Sequence, residues 1–193
     1  MGIIKKYTEN NCQIAIWDIT ESLDEFKKID TSVDYSKFKT EKRIKEFLAS
    51  RLLLSEIRPK EEITYNKYGA PKIKNGDHIS ISHSKNLVAI IISKTKVGLD
   101  IEQISAKPLK LSSKFISTKA HQNLTEEKST LIWCCKEAIF KWYQKGNIDF
   151  KKDLKIDEFE TKEKGEVICN FKGEKIIVKY RKINNHYLVY VCK

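Results

Sequence analysis

Within Val97-Gly98-Leu99-Asp100-Ile101-Glu102, two carboxylates stand two residues apart in an otherwise apolar stretch. Side chains alternate along a strand, so Val97, Leu99 and Ile101 share one face while Gly98, Asp100 and Glu102 share the other. Carboxylates placed this way lie roughly 6.5–7 Å apart and repel unless exposure or a cation relieves them. Two readings stay open: a half-solvated edge strand, or part of a cation site in which Gly98 leaves room for a bulky ligand. Glu137, in a later helical stretch, adds a third hard oxygen. Such a set suits Mg²⁺, which keeps waters and completes its shell with substrate phosphate. Lys136, Lys141, His83, Arg43 and Arg51 add cations, and acidic ligands ringed by basic clamps are what phosphoryl or pyrophosphate chemistry requires. The chain has neither a G-x-x-x-x-G-K-[ST] loop nor a G-x-G-x-x-G turn, so side chains must hold the phosphates and an ordinary kinase or P-loop enzyme is disfavoured.

The elements that would position these groups read as follows. Cys12 to Ile19 is rich in β-formers and is a first strand, with a short helix from Ser22 to Ile29 after it. Thr40 caps a helix over Glu41 to Ile57 that buries Ile44, Phe47, Leu48, Leu52 and Ser55 and ends before Pro59. Its other face is basic through Lys42, Arg43, Lys45 and Arg51. Arg43 and Arg51 lie within about 40–80° of each other around the axis, which allows a shared anion site. Two short extended segments flank the Asn66 to Gly69 turn, and Asn75-Gly76-Asp77 is another turn. Ile79 to Ser84 alternates, Leu87 to Ile92 is apolar enough for a central strand, and Lys94-Thr95-Lys96 leads into the acidic strand as the next element of an antiparallel meander. The segment after Pro108 reads as helical. A second long helix runs from Thr125 or Glu126 to about Lys145, burying Leu131, Cys134, Cys135, Ala138 and Trp142 and placing Trp133, Glu137 and Lys141 on another face. Strands follow around Phe159, over Glu166 to Phe171, Glu174 to Arg181 and His186 to Cys192. The expected fold class is therefore α+β: two similar halves, residues 1–95 and 96–193, in a pseudo-twofold arrangement, each a long helix packed on an antiparallel sheet, with the site at their interface.

Composition narrows the partners. The 193 residues are 33% charged and 40% hydrophobic, which is ordinary for a globular protein and does not indicate disorder, and the formal charge of +11 favours polyanions. No apolar run approaches the ~18 residues of a membrane span, and Met1 to Asn10 has no secretory core. Gly2 lacks the myristoylation pattern because Lys6 stands where Ser or Thr is wanted. A cytoplasmic protein is expected. The five cysteines, Cys12, Cys134, Cys135, Cys169 and Cys192, show no C-x-x-C spacing and read as reduced core thiols.

Gly98-Leu99-Asp100-Ile101-Glu102 and Trp133-Cys134-Cys135-Lys136-Glu137-Ala138-Ile139-Phe140-Lys141 resemble the paired signature G-x-D-I-E and W-x-x-K-E-A-x-x-K of the 4′-phosphopantetheinyl transferases. Ile81-Ser82-His83-Ser84 is similar to that family's histidine motif, and the resemblance is closest to its larger, monomeric, two-half (surfactin-synthetase-activating type) subclass. The resemblance implies transfer of the phosphopantetheine arm of coenzyme A to a serine of an acidic acyl or peptidyl carrier protein, with release of 3′,5′-ADP. It implies that Asp100, Glu102 and Glu137 hold Mg²⁺, that Glu137 draws the serine proton directly or through water, and that Lys141, assisted by Lys136, neutralises the pyrophosphate. Ser82, His83, Arg51 and Arg43 would meet the 3′-phosphate or adenosine end. Gly98 would be small because a pyrophosphate lies against it.

The chain departs from the family in two places. Gly69-Ala70-Pro71 stands where relatives carry Gly-Lys-Pro, leaving Lys72 as the candidate replacement. Lys119-Ala120-His121 stands where relatives often have a glutamate, and Phe115, Ile116 and nearby lysines are the expected carrier-protein contacts. The alternative is a non-catalytic basic module binding nucleic acid or coenzyme A, such as a catalytically weakened relative. No nucleic-acid-binding motif is recognisable, and neither nucleic acid nor a membrane is the expected partner.

Overall fold

A computed structural model describes residues 3–9, 11–29, 34–117, 121 and 123–193. In chain order the elements are β1 (Ile3–Glu9), β2 (Cys12–Asp18), α1 (Leu23–Ile29), α2 (Glu41–Ile57), β3 (Thr64–Tyr65), β4 (Pro71–Lys72), β5 (His78–Ser84), β6 (Leu87–Ser93), β7 (Val97–Gln103), α3 (Ala106–Lys110), a 3-10 turn at Ser112–Lys114, α4 (Glu126–Tyr143), β8 (Leu154–Ile156), β9 (Lys164–Phe171), β10 (Glu174–Ile183) and β11 (His186–Cys192). The fold is mixed α and β with antiparallel sheets. One sheet has the order β1-β2-β6-β5, a second β7-β11-β10-β9-β8, and β3 and β4 form a small hairpin. Among the described residues no helix is long and apolar enough to cross a membrane.

Strand alternation builds three core layers. Ala15, Trp17, Val88, Ile90 and Ile92 turn to Leu48, Leu53 and Leu54 of α2. Ile14, Ile16, Ala89 and Ile91 turn the other way and meet Val97, Leu99, Ile101, Leu188 and Tyr190 of the second sheet. Behind that sheet, Tyr187, Val189 and Val191 pack on Leu131, Cys134, Cys135 and Ala138 of α4. The order from outside to outside is helix, sheet, sheet, helix, and each side chain's layer follows from its parity in the strand.

Several expectations are corrected here. The sequence reading has no strand before Cys12, whereas β1 pairs with β2 along the sheet margin. The buried stripe of α2 runs through Leu53, Leu54 and Ile57 rather than Leu52 and Ser55, and Ser55 is exposed. The triple leucine at 52–54 makes that rotation ambiguous in sequence. Strand β8 lies at Leu154–Ile156, ahead of the Phe159 region. The acidic strand β7 does not continue the β5-β6 meander but crosses into the second sheet and pairs with β11. In doing so it buries Val97, Leu99 and Ile101 between the sheets.

Cysteine usage is the other correction. Cys12 opens β2 and Cys192 closes β11, and the structure joins them in a disulfide across 180 residues. Cys134, Cys135 and Cys169 are buried free thiols. Unfolded without reductant, the oxidised protein should take up alkylating reagent at three cysteines, and at all five after reduction. Uptake at five before reduction would mean that Cys12 and Cys192 stand as neighbouring thiols.

Candidate functional site

The acidic face of β7 turns to helix α4, not to solvent. Gly98 is the point of closest approach: a Cβ there would fall on the Ala138 carbonyl oxygen and lie 2.6 Å from Trp142 N. Glycine is needed because two backbones touch, so the expectation that Gly98 makes room for a pyrophosphate is overturned. One pleat further along, Asp100 is 3% exposed, which removes the reading of a half-solvated edge strand. Its Oδ1 accepts from Lys141 Nζ on α4 and from Ser82 Oγ on β5, both at 2.7 Å. Among the described residues its buried Oδ2 has no hydrogen-bond partner.

Alternating serines of β5 seal the open edge of β7. Ser80 Oγ accepts the Leu99 N–H at 3.0 Å, and Ser84 Oγ accepts the Gln103 N–H at 3.0 Å while donating to Glu102 Oε2 at 3.2 Å. The Ile-Ser-Ile-Ser alternation thus places isoleucine on one face of the strand and, on the other, hydroxyls that satisfy backbone groups which would otherwise be orphaned.

The Asp100 charge acts on both of the neighbouring glutamates. Burial, then the Asp100 charge, pushes the Glu137 carboxyl up to about 7, with Lys141 opposing. Burial and Asp100 also raise Glu102, while hydrogen bonds from Ser84 and Trp133 pull it back. Trp133 is held by Phe115 and Phe150, with ring centroids 5.1 and 5.6 Å away.

A cleft of about 440 Å³ opens beside this cluster, between α2, the β3-β4 hairpin, β5 and the end of α4. Its walls are aromatic, with Phe38, Phe47, Tyr65, Tyr68 and Phe140, and its charged lining is Arg43, Glu46, His83 and Lys141. Lys141 is the link: the same ammonium that binds Asp100 lines the cleft. Arg43 Nη1 donates to Glu46 Oε2 at 3.0 Å and meets His83 Nε2 at 2.7 Å. Burial of its ring, then the Arg43 charge, holds His83 below the usual histidine range against the pull of Glu46.

Of the expected site residues, Arg43, His83 and Lys141 line the cleft and Ser82 stands behind it through Asp100. Three others are placed differently. Lys136 does not reach toward a pyrophosphate. It lies about 100° around the helix from Glu137, and its buried ammonium donates to Phe150 O at 2.6 Å and to Leu154 O. Burial holds Lys136 down to about 8. Arg51 stacks on Phe47, its Cζ 3.3 Å from the ring centroid, outside the cleft lining. Lys72 is exposed, and the lining stops at Pro71. Phe115 and Ile116, expected at a carrier surface, are core residues at 3% and 4% exposure. Lys119 and Ala120 lie outside the described residues. The sequence reading missed Glu46 and the aromatic wall; Glu46 sits one turn from both Lys42 and Arg43, which was the available signal.

A family model for the 4′-phosphopantetheinyl transferase superfamily matches residues 96–192. That span is half of the chain and includes β7, α4 and the carboxylates they carry. The chain belongs to the 4′-phosphopantetheinyl transferase superfamily. A curated relative, "4′-phosphopantetheinyl transferase gsp" of Aneurinibacillus migulanus, is 33% identical over 112 residues, covering 52% of this chain and 47% of the relative. The chain therefore matches about half the length of that relative.

In this superfamily member the Asp100 charge reaches both Glu102 and Glu137. Among the described residues, no three His, Cys, Asp or Glu side chains are grouped so as to hold a metal ion. Asp100 is engaged by Lys141 and Ser82 instead. The residues nevertheless fit a divalent cation chemically. Among the described residues Asp100 Oδ2 has no donor, and Glu102 and Glu137 carry carboxyls raised by burial and by Asp100, a repulsion that a hard cation would relieve.

Proposed function

We propose that this protein transfers the 4′-phosphopantetheine group of coenzyme A to a serine of an acidic acyl or peptidyl carrier protein, releasing 3′,5′-ADP. The observation that carries the reading is Lys141, whose ammonium joins an aromatic, cation-lined cleft to the buried carboxylates. The aromatic wall suits an adenine ring, which stacks on such side chains, while Arg43 and Lys141 suit phosphate oxygens. Asp100, Glu102 and Glu137 would hold Mg²⁺. When bound, the ion would polarise the pyrophosphate and offset the charge that develops on it.

The protein's own groups supply the remainder. Lys141 stabilises the departing phosphate on the ADP side, where its charge acts in a partly desolvated setting. Glu137, with a carboxyl near 7, is poised to take the proton of the attacking serine. Ser82 keeps Asp100 aimed at Lys141. The serine oxygen forms a bond to the β-phosphorus of coenzyme A, the bond from that phosphorus to the bridging oxygen breaks, and 3′,5′-ADP leaves with the bond's electrons. On the partner side, exposed Leu111 between Lys110 and Lys114 offers an apolar spot flanked by cations for an acidic carrier. The same proposal includes a cytoplasmic monomer of the larger subclass, with residues 1–95 and 96–193 as pseudo-twofold halves.

Incubation with Mg²⁺, coenzyme A and a panel of carrier proteins should add a phosphopantetheine mass to at least one of them. Asp100→Ala should abolish the addition while keeping the circular dichroism of the fold. A panel that is never modified, by protein that binds coenzyme A no better with Mg²⁺ than without, would overturn the reading.

A further inference from the structure

Glu46 is 4% exposed, yet none of its ionic partners belongs to the core. Arg43 Nη1 reaches Oε2 at 3.0 Å, His83 Nδ1 reaches Oε1 at 3.4 Å, and Lys42 Nζ reaches Oε1 at 3.6 Å. Arg43 and His83 both line the cleft. A carboxylate buried only to stabilise the fold has no reason to aim both oxygens at groups on one wall of a cavity.

The hydrogen-bond directions determine one another. The Arg43 guanidinium can only donate, so His83 Nε2, 2.7 Å from it, must accept. A neutral imidazole with a bare Nε2 carries its proton on Nδ1, the ring nitrogen that lies 3.4 Å from Glu46 Oε1. The three groups form a triangle: Arg43 donates to Glu46 and to His83, and the His83 Nδ1 side of the ring faces Glu46 at ion-pair distance.

We propose that Glu46 is a positioning residue of the cleft: it fixes His83 as the Nδ1–H tautomer and so holds the Arg43 guanidinium against the cleft wall, ready for an anionic ligand. This rests on the reading of the cleft as a coenzyme A site. The groups facing the triangle are Lys42, Arg43 and Glu46 on α2 and Lys141 on α4. Because a ligand phosphate meets Arg43 rather than Glu46, the carboxylate acts through its neighbours.

The test is Glu46→Gln, whose amide has one acceptor oxygen where the carboxylate has two. Either the His83 or the Arg43 contact must then be lost. Nitrogen-15 spectra of ring-labelled protein above pH 7 should show wild-type His83 protonated on Nδ1 with Nε2 as an acceptor, and a mixed ring in the variant. Coenzyme A affinity by calorimetry should fall about tenfold, as for loss of a hydrogen bond to a charged group. A wild-type ring protonated on Nε2 would overturn the proposal, and so would a variant that keeps both the wild-type ring signature and its affinity. The ring measurement needs no ligand, so a wild-type protein that fails to bind coenzyme A would sink the functional reading while the tautomer still decides the triangle.

Discussion

A Gly98→Ala protein should unfold roughly 10 °C below the wild type, given about 2–4 °C per kcal/mol for a chain of this size. Overpacking a core costs about 1–3 kcal/mol when side chains can yield. Here the obstacles are the Ala138 carbonyl oxygen and Trp142 N, both backbone atoms of α4. The methyl group fits only if the helix moves away from β7, and the expected cost is about 3 kcal/mol or more. The helix carries Glu137 and Lys141, so the same displacement should pull Lys141 Nζ off Asp100 and leave a buried carboxylate without its cation. Denaturation midpoints and coenzyme A affinity measured together decide the cause. If the alanine protein kept its midpoint and lost only coenzyme A affinity, Gly98 would after all be small for the ligand's sake.

That glycine marks the boundary between what the residues announce and what the fold adds. Asp100, Glu102, Glu137 and Lys141 are legible because strand parity and helical spacing are local rules, and each fixes which groups share a face. What lies against that face is not local. Gly98 faces a helix rather than a ligand because β7 abandons the β5-β6 meander, and the tight Lys94-Thr95-Lys96 connection gives no hint of the crossing. The cleft is hidden for the same reason: Phe38, Phe47, Tyr65, Tyr68 and Phe140 come from α2, the turns around it, the β3-β4 hairpin and α4. Lys136 is a finer failure. It adjoins Glu137 in sequence, but one residue along a helix is a rotation of about 100°, enough to send its ammonium to Phe150 O and Leu154 O instead of the site. Cys12 and Cys192 meet only because β2 and β11 lie on facing sheets, a pairing that no spacing rule contains.

Without divalent cation the wild-type protein should lose stability relative to Glu137→Gln as pH rises from 5 to 8, while the buried rings of His83, His121 and His186, held below the usual histidine range, act in the opposite direction in both proteins. The folded carboxyl of Glu137 sits at about 7 against an ordinary value of 4.5. Between those values the folded chain binds more protons than the unfolded one, so the stability from this group is full below pH 4.5 and is lost as pH climbs through 7. At 1.36 kcal/mol per pH unit the loss is on the order of 3 kcal/mol, and Glu102, raised by the same causes, adds to it in the same direction. A glutamine at 137 cannot ionise, so at pH 8 the metal-free variant should be the more stable protein. Its transfer activity should nevertheless fall by about 10²–10⁴-fold, the usual contribution of a general base. Mg²⁺ should reverse the order, because binding to the folded state alone adds stability: the wild-type midpoint at pH 8 should rise with the ion, and the variant's should rise far less. Urea titrations at pH 5 and 8, with and without Mg²⁺, measure all of this. A wild-type stability that does not fall relative to the glutamine variant over that range would show that burial and the Asp100 charge do not hold the Glu137 carboxyl up in the folded chain, and the case for a cation beside it would fall with that.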